Sequence, residues 1–326
     1  EIVGEVVAPG AAVTDLAPGR RVCVDPVITC GECEFCQGGR PNLCARPTII
    51  GYARNGGFEQ FTSVPRSHLY PLAPHVGPKD LILHLVGKLT AQGANFRVLE
   101  YHGETMRKMS TSGRLAVCNM SVEAGATSGI VPADEETLRY LREEAGVTDP
   151  IELVVPDPDA VYERVVTVDV SRMEPQIACP HTVDNVKPIS EVAGVKVHQV
   201  VIGSCTNGRI DDLEAAAAVV RGKKVAKGTR MLVFPASGRV FQEALDRGYV
   251  ADFMKAGAVV MNAGCGPCLG VHEGALGDNE VAVSTTNRNF KGRMGNPKSE
   301  VYLCSPAVAA ASAVAGVLAD PRKGEV

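Results

Sequence analysis

Tryptophan is absent from the 326 residues, and aromatic side chains make up only 5% of them. No run of eighteen apolar residues occurs, so no membrane-spanning helix is expected. "PAVAAASAVAGVLAD", from Pro306, comes closest, but it is short and built of small residues. With Ser305 as N-cap and Pro306 at the first helical position, it reads as a terminal core helix. The net charge of −4 gives no general attraction to nucleic acid or to an anionic membrane. No charged-then-apolar leader opens the chain, so secretion is not expected and a cytoplasmic location is. After residue 77 the dinucleotide fingerprint G-x-G-x-x-G is missing as well; Gly264, Gly266 and Gly270 miss its last spacing by one.

Cysteine, by contrast, is plentiful. Eleven of them without a secretory leader point to thiols and metals rather than to a disulfide scaffold. The composition, 45% apolar and 21% charged, is that of an ordinary globular protein long enough for two or three domains. The texture changes near residue 77. Up to about residue 76 the chain is rich in Gly and Pro, with short period-two runs such as "EIVGEVV" and "RVCV", as in a small barrel. From Lys79 helical and strand patterns alternate. "KDLILHLVGKL" and "GRLAVCNMSVEAGA" have helical spacing, while "FRVLEYHG", "VHQVVIG", "RMLVFP", "AVVMNAG" and "EVAVSTT" read as strands. That alternation predicts parallel sheets covered by helices, with "LAPHVGPKD" as the join.

Two groups of cysteines carry chemistry. "CGECEFCQGGRPNLC" sets Cys30, Cys33, Cys36 and Cys44 in a C-x2-C-x2-C-x7-C pattern, and four thiolates in one short loop can close tetrahedrally on a single Zn(II). A disulfide pair or unrelated core cysteines is the plainer alternative, which a polar, Gly-rich loop disfavours. "NAGCGPCLG" carries Cys265 and Cys268, which locally fit a redox dithiol, half of a zinc site, or a ligand pair that needs a third thiol. Cys205, in "VVIGSCTNGRIDDLE", offers that third thiol. Like the pair, it follows a strand pattern, at the end where open α/β sheets gather ligands. A [4Fe–4S] cube held by three thiolates keeps one iron open to a substrate oxygen, whereas four thiolates cap every iron. The dithiol alternative has the string C-G-P-C but lacks the Trp usually found before it in thioredoxins. Cys23, Cys118, Cys179 and Cys304 have no ligand spacing and read as small buried hydrophobes.

Two resemblances follow from these motifs. Residues 1 to about 76 resemble the structural-zinc lobe of zinc-containing medium-chain alcohol, polyol and threonine dehydrogenases, through "EIVGEV", the cysteine quartet and "GGFEQFTSVP". The resemblance implies a structural zinc on Cys30, Cys33, Cys36 and Cys44. It also places that family's catalytic zinc ligands upstream of Glu1 and its nicotinamide domain after the seam, where no fingerprint stands. Arg20 occupies a position that the family often fills with Asp. Dehydrogenase activity is therefore not expected of the whole chain. Residues from about 79 to 326 resemble the C-terminal part of the large subunits of 3-isopropylmalate dehydratases, in the aconitase superfamily. The motifs that carry this are "EYHGE", "CNMSVEAGA", "PHTVDNVKP", "GSCTNGR", "CGPCLG" and "TNRNFKGRMG", in that order.

The second resemblance implies a [4Fe–4S] cluster on Cys205, Cys265 and Cys268. It implies a hydro-lyase that isomerises 2- to 3-isopropylmalate for leucine biosynthesis, acting on a 2-alkylmalate-type dicarboxylate. A separate small subunit would supply the catalytic Ser. Homoaconitase or a related hydratase is the alternative within the class, and a non-catalytic fusion fragment that only binds metal is the alternative outside it. In "STTNRNFKGRMGNPKS" the guanidinium forks of Arg288 and Arg293 would clamp substrate carboxylates, with Asn287 shaping the pocket, while Lys291 and Lys298 read as solvated. Asn119 and Glu123, four apart on one predicted helix, share a face. The resemblance sets both beside the cluster, with Glu123 exchanging protons there. Ser237 and Arg239 in "FPASGRV" imitate the catalytic Ser-Arg pair, yet Ser237 reads as a turn residue. Among His84, His102, His181 and His272, a structural role is the simplest reading, and His102 is the one to test. No D-S-H-T motif of the family's N-terminal domain precedes Lys79, so the chain alone is expected to be inactive. The expected fold is α/β: aconitase-like three-layer parallel or mixed sheets with helices on both faces, after a small β-rich partial GroES-like lobe. The expected domains are 1–76, 77–192 and 193–326, the last carrying the cluster cysteines.

Overall fold

A computed structural model describes residues 2–14, 16, 18, 21–24, 27–37, 44–49, 69–71, 76–157 and 159–323. The stretch "GGFEQFTSVP", Arg20, residues 72–75 of the expected join and the side chain of Cys23 lie outside the described residues. Contacts divide the chain into two compact units, Glu1–Pro74 and His75–Val326.

The described part of the first unit has five short strands, β1 (Ile2–Glu5), β2 (Arg21–Val24), β3 (Val27–Ile28), β4 (Thr48–Ile49) and β5 (Leu69–Pro71), and one helical turn, α1 (Glu34–Gln37). β1, β2 and β5 form an antiparallel sheet in that order, and β3 pairs with β4. Val22 and Val24 are both buried, two apart on β2, as strand alternation requires.

The second unit opens with α2 (Pro78–Leu89). Pro78 starts the helix, Asp80 Oδ2 accepts from Gly77 N at 2.9 Å, and Ile82, Leu83 and Val86 form the buried face. β6 (Val98–Glu100) and β7 (Ser128–Ile130) pair in parallel, joined through α3 (Glu104–Arg107) and α4 (Thr111–Met120); α5 (Glu135–Arg139) follows. Next come β8 (Gln176–Ala178), β9 (Val186–Pro188) and α6 (Ile189–Val192). The rest of the unit is β10 (Gln199–Gly203), α7 (Ser204–Asn207), α8 (Ile210–Val220), β11 (Arg230–Phe234), α9 (Gly238–Asp246), α10 (Tyr249–Ala256), β12 (Val259–Val260), β13 (Val281–Ser284), β14 (Glu300–Leu303) and α11 (Pro306–Ala315).

A seven-stranded sheet in the order β12-β11-β10-β13-β14-β8-β9 organises this unit. Its first five strands are parallel, and β8 and β9 add antiparallel. Both faces are buried. Val200, Ile202, Met231, Val233 and Val283 pack with α8, α10 and α11, while Ala178, Ala282, Val301 and Leu303 pack with Ile82, Leu83 and Val86 of α2 and Val117 and Met120 of α4. Ala282 and Val283, adjacent on β13, go to opposite faces, so the strand reads as a continuous apolar run. The result is the mixed, three-layer α/β arrangement. The sheet runs across residue 193, where a domain boundary was expected, because Ala178 of β8 pairs with Leu303 of β14. Pro306 to Ala313 of the terminal helix are all buried. No helix among the described residues is long and apolar enough to cross a membrane.

The helix expected through "GRLAVCNMSVEAGA" stops earlier. α4 ends at Met120 and a 3₁₀ turn, Ser121–Ala124, follows. Ser121 Oγ donates back to Val117 O at 3.2 Å and pairs with Tyr101 Oη at 2.7 Å, a local bond that competes with helix continuation. Gly125 then closes the turn at φ +86, where an added Cβ would meet Asn95 Oδ1. Asn119 and Glu123 therefore belong to two different helical segments rather than to one face of one helix.

Candidate active site at a strand-order reversal

From β10 the chain moves outward to β11 and β12, then returns to the other side of β10 with β13 and β14. The strand order reverses between β10 and β13. Loops leaving the carboxyl ends of two such strands diverge and open a crevice between them. Cys205 and Thr206 leave β10 at this point, and Asn287 and Arg288 leave β13.

Glycine decides how the first of these loops sits. A Cβ on Gly203 (φ +124) would clash with Phe234 O, and one on Gly208 would stand 2.5 Å from the same oxygen. The "GSCTNG" turn thus lies directly on the end of β11, an approach only glycine permits. Ser204, between Gly203 and Cys205, also has a positive φ of 73, a conformation that costs a non-glycine residue energy and persists only under surrounding constraint.

Hydrogen bonds join the candidate residues. Asn119 Nδ2 donates to Thr206 Oγ1 at 2.8 Å, and Thr206 Oγ1 makes a short bond to Asn287 Oδ1. The same hydroxyl lies 3.8 Å from Cys205 Sγ. Arg288 Nε donates to Glu123 Oε1 at 2.8 Å. Asn119, Glu123, Cys205, Asn287 and Arg288 are thus drawn together from three chain regions. Thr206, the hub, was not singled out in the sequence, although it lies inside the "GSCTNGR" motif.

Cys265 precedes and Cys268 lies within a second turn, the 3₁₀ segment Gly266–Leu269 after β12. At Gly270 (φ +77) a Cβ would stand 2.5 Å from Gly295 N and 3.0 Å from Arg293 O, so this turn lies against the Arg293 loop. Arg293 Nη2 reaches Cys268 Sγ at 3.8 Å, its guanidinium lies over the Phe290 ring, and its buried Nε has no partner among the described residues. A buried guanidinium N–H without an acceptor suits an incoming anion.

Among the described residues Cys205, Cys265 and Cys268 do not form a group with ligand atoms within 4.8 Å of one another, and it is the chemistry of the set, three thiols in one unit, that suits a cluster held by three thiolates. Cys205 and Cys265 are exposed and Cys268 is buried. Cys118, Cys179 and Cys304 have their thiols pushed above the ordinary range, in each case first by burial, which makes them poor thiolate ligands. No fourth candidate remains among the described residues of this unit.

Lys79 is a feature that helical spacing did not reveal, because a lysine in the first turn of a helix reads as solvated. Its side chain is fully buried, and burial lowers its pKa to about 8. Asp212 is half-buried; Oδ1 accepts from Asn207 Nδ2 at 3.0 Å and Oδ2 from Arg209 N at 3.1 Å, and desolvation pushes its carboxyl up to about 6.

Several singled-out residues lie outside this network. Ser237 caps α9, accepting from Val240 N at 3.2 Å, and Arg239 stands 3.8 Å from Glu144. Lys298 pairs with Asp278 at 2.6 Å on the surface. His102 Nε2 lies 2.9 Å from Glu100 Oε1 and 3.3 Å from Tyr162 Oη. His84 Nδ1 lies 3.4 Å from Gln176 Oε1, and His272 is paired with Glu273. A cavity of ≈ 520 Å³ lined by Cys179, His181, Lys187 and Tyr302 includes none of the network residues.

In the first unit the ligand atoms of Cys30, Cys33, Cys36 and Cys44 all lie within 4.8 Å of one another. The Cys33–Cys36, Cys44–Cys30 and Cys30–Cys36 sulfur separations are 3.5, 3.5 and 4.0 Å. A tetrahedron with Zn–S arms of about 2.3 Å has edges of about 3.8 Å, so the quartet fits one zinc ion. Backbone N–H groups of Ala45 and Cys36 draw the Cys33 thiol down to about 6, toward the ligating form.

Comparison with known proteins agrees with both halves. Residues 71–194 and 190–316 match the aconitase family (aconitate hydratase), and residues 1–74 match the alcohol dehydrogenase GroES-like domain. The two aconitase matches meet near residue 193. The 3-isopropylmalate dehydratase large subunit 2 of Archaeoglobus fulgidus is 52% identical over 245 residues, covering 75% of this chain and 59% of that protein. The 3-isopropylmalate dehydratase large subunit of Nitratidesulfovibrio vulgaris is 54% identical over 246 residues, covering 76% and 58%. A Methanosarcina mazei protein named "Probable methanogen homoaconitase large subunit" is 50% identical over 252 residues, covering 77% and 63%. The chain spans about six tenths of the length of these curated relatives. A solved protein from Sinorhizobium meliloti 1021 described as a "putative zinc-binding dehydrogenase" aligns at 23% identity over 93% of this chain and 81% of that one, with a TM-score of 0.26 that is too low to bear on the fold.

Proposed function

The chain belongs to the aconitase family, and from that premise we propose that it is the cluster-bearing part of a hydro-lyase large subunit that isomerises 2-isopropylmalate to 3-isopropylmalate in leucine biosynthesis. The observation that carries the reading is the network Asn119–Thr206–Asn287 beside Cys205, together with the Glu123–Arg288 pair. Homocitrate-type substrates are the second reading, supported by the relative named for that activity.

A [4Fe–4S] cluster on Cys205, Cys265 and Cys268 supplies, when bound, one open iron as a Lewis acid for the substrate hydroxyl. The remaining work falls to side chains. Arg288 and Arg293 hold the substrate carboxylates through forked donors and so fix the geometry in which hydroxyl and proton depart. Glu123 exchanges a proton with the departing hydroxyl. Asn119 and Asn287 hold Thr206 and shape the pocket beside Cys205. The base that takes the carbon-bound proton is a Ser of a separate small subunit, since Ser237 is occupied in capping α9. Zn(II) on Cys30, Cys33, Cys36 and Cys44 is structural, and the location is cytoplasmic.

The chain alone is inactive in this reading, because a missing positioned base costs a factor of about 10²–10⁴. Anaerobic reconstitution, iron and acid-labile sulfide analysis, and a dehydration assay with and without a matching small subunit test it. About four irons and four sulfides per chain are expected, without turnover by the chain alone. Failure to incorporate iron and sulfide overturns the reading. Robust turnover by the chain alone overturns the role given to Ser237.

A further inference from the structure

Lys79 is among the largest fully buried side chains of the molecule, although lysine ordinarily keeps its ammonium in water. From the first turn of α2 its Nζ donates to Thr285 O at 2.9 Å and to Thr286 O at 2.8 Å. Successive carbonyls of an extended strand point in opposite directions. Two consecutive carbonyls that converge on one cation therefore mark the place where the chain leaves β13 and bends. The next two residues are Asn287 and Arg288.

Other bonds hold the approach to this bend and, beyond it, Asn289, whose Nδ2 donates to Cys179 O at 2.8 Å. Thr285 N donates to Val201 O at 3.0 Å, Thr285 Oγ1 accepts from Gly203 N at 2.8 Å, and Thr286 N donates to Ser284 Oγ at 3.1 Å. The two carbonyls themselves are held by Lys79.

We propose that Lys79 is a positioning residue of this site: its buried ammonium fixes the Thr285–Thr286 backbone and thereby aims Asn287 at Thr206 and Arg288 at Glu123. The functional side of this inference rests on the reading of Asn287 and Arg288 as substrate-site residues; the positioning itself does not.

Amide hydrogen exchange of the full chain, followed by mass spectrometry, tests it in wild type, Lys79→Met and Lys79→Gln. In wild type, the amides of residues 285–288 should be protected as strongly as those of β13. In Lys79→Met they should exchange about tenfold faster or more, with a smaller increase in Lys79→Gln, which keeps a neutral donor. Peptides from β11 and α8 should change little. Fast exchange at 285–288 in wild type, or no change there in the variants, overturns the proposal. An increase spread evenly over the chain also overturns it, since that is the mark of general support. Should the Met variant fail to fold, the Gln variant and the wild-type measurement decide. Calorimetric titration of the reconstituted chain with 2-isopropylmalate separates the two claims. Absence of binding by wild type counts against the substrate reading, whereas equal affinity in wild type and Lys79→Gln counts against the positioning role.

Discussion

Arg288 and Glu123 stand 165 positions apart in the sequence, yet Arg288 Nε lies 2.8 Å from Glu123 Oε1. The Glu123 side chain is only 9% exposed, whereas that of Arg288 is 43% exposed, so the carboxylate is tucked in and the guanidinium reaches outward. With Nε taken, the outer Nη1–Nη2 edge is the one that can fork to a substrate carboxylate. The pair ties the 3₁₀ turn after α4 to the loop after β13.

Arg288→Met should strand a nearly buried carboxylate. Denaturant unfolding is expected to show a loss of about 1–3 kcal/mol, with Arg288→Lys intermediate. A midpoint and slope indistinguishable from wild type would show that Glu123 does not depend on Arg288.

Cys205→Ala is expected to lose iron and sulfide after reconstitution as completely as Cys265→Ala does. Three thiolates are the minimum that leaves one iron open, so removal of any one leaves two irons uncapped. Full iron and sulfide content in Cys205→Ala would refute the three-thiol assignment.

Zinc should behave independently of the cluster. Elemental analysis of the full chain carrying Cys205→Ala, Cys265→Ala and Cys268→Ala is expected to return about one zinc ion, unaffected by air. Cys33→Ser alone should release it. Zinc that disappears with the cluster ligands, or survives Cys33→Ser, would place it elsewhere.

A pH dependence follows from Glu280. Arg230 donates to both of its carboxylate oxygens at 2.8 Å, and this bond draws the Glu280 carboxyl down to about 2 from an ordinary 4.5. A depressed folded-state pKa means that the contribution to stability is complete above about 4.5 and fades as pH falls toward 2. The stability gap between wild type and Glu280→Gln should therefore be present at neutral pH and shrink steadily below pH 4.5. A gap that stays constant down to pH 2.5 would rule out the ion pair as its source.

What the sequence by itself determined is what depends on neighbours along the chain. The cysteine quartet is legible because one short loop supplies all four thiols, and the strand-end placement of Cys205 and of Cys265 with Cys268 is legible because period and glycine spacing are local signals. The alternation of strands and helices after Lys79 is legible for the same reason. The tertiary structure decided which loops meet. Strand order sets β13 beside β10 and so brings Asn287 to Thr206 and Arg288 to Glu123, a pairing that no local pattern encodes. It also decided that α4 stops at Met120, where Ser121 turns back to Val117 O, and that β8 and β9 join the main sheet across residue 193. Lys79 shows the difference most plainly. Its identity and helical position were written in the chain, but its burial follows from two carbonyls more than 200 residues away that replace the water it gives up.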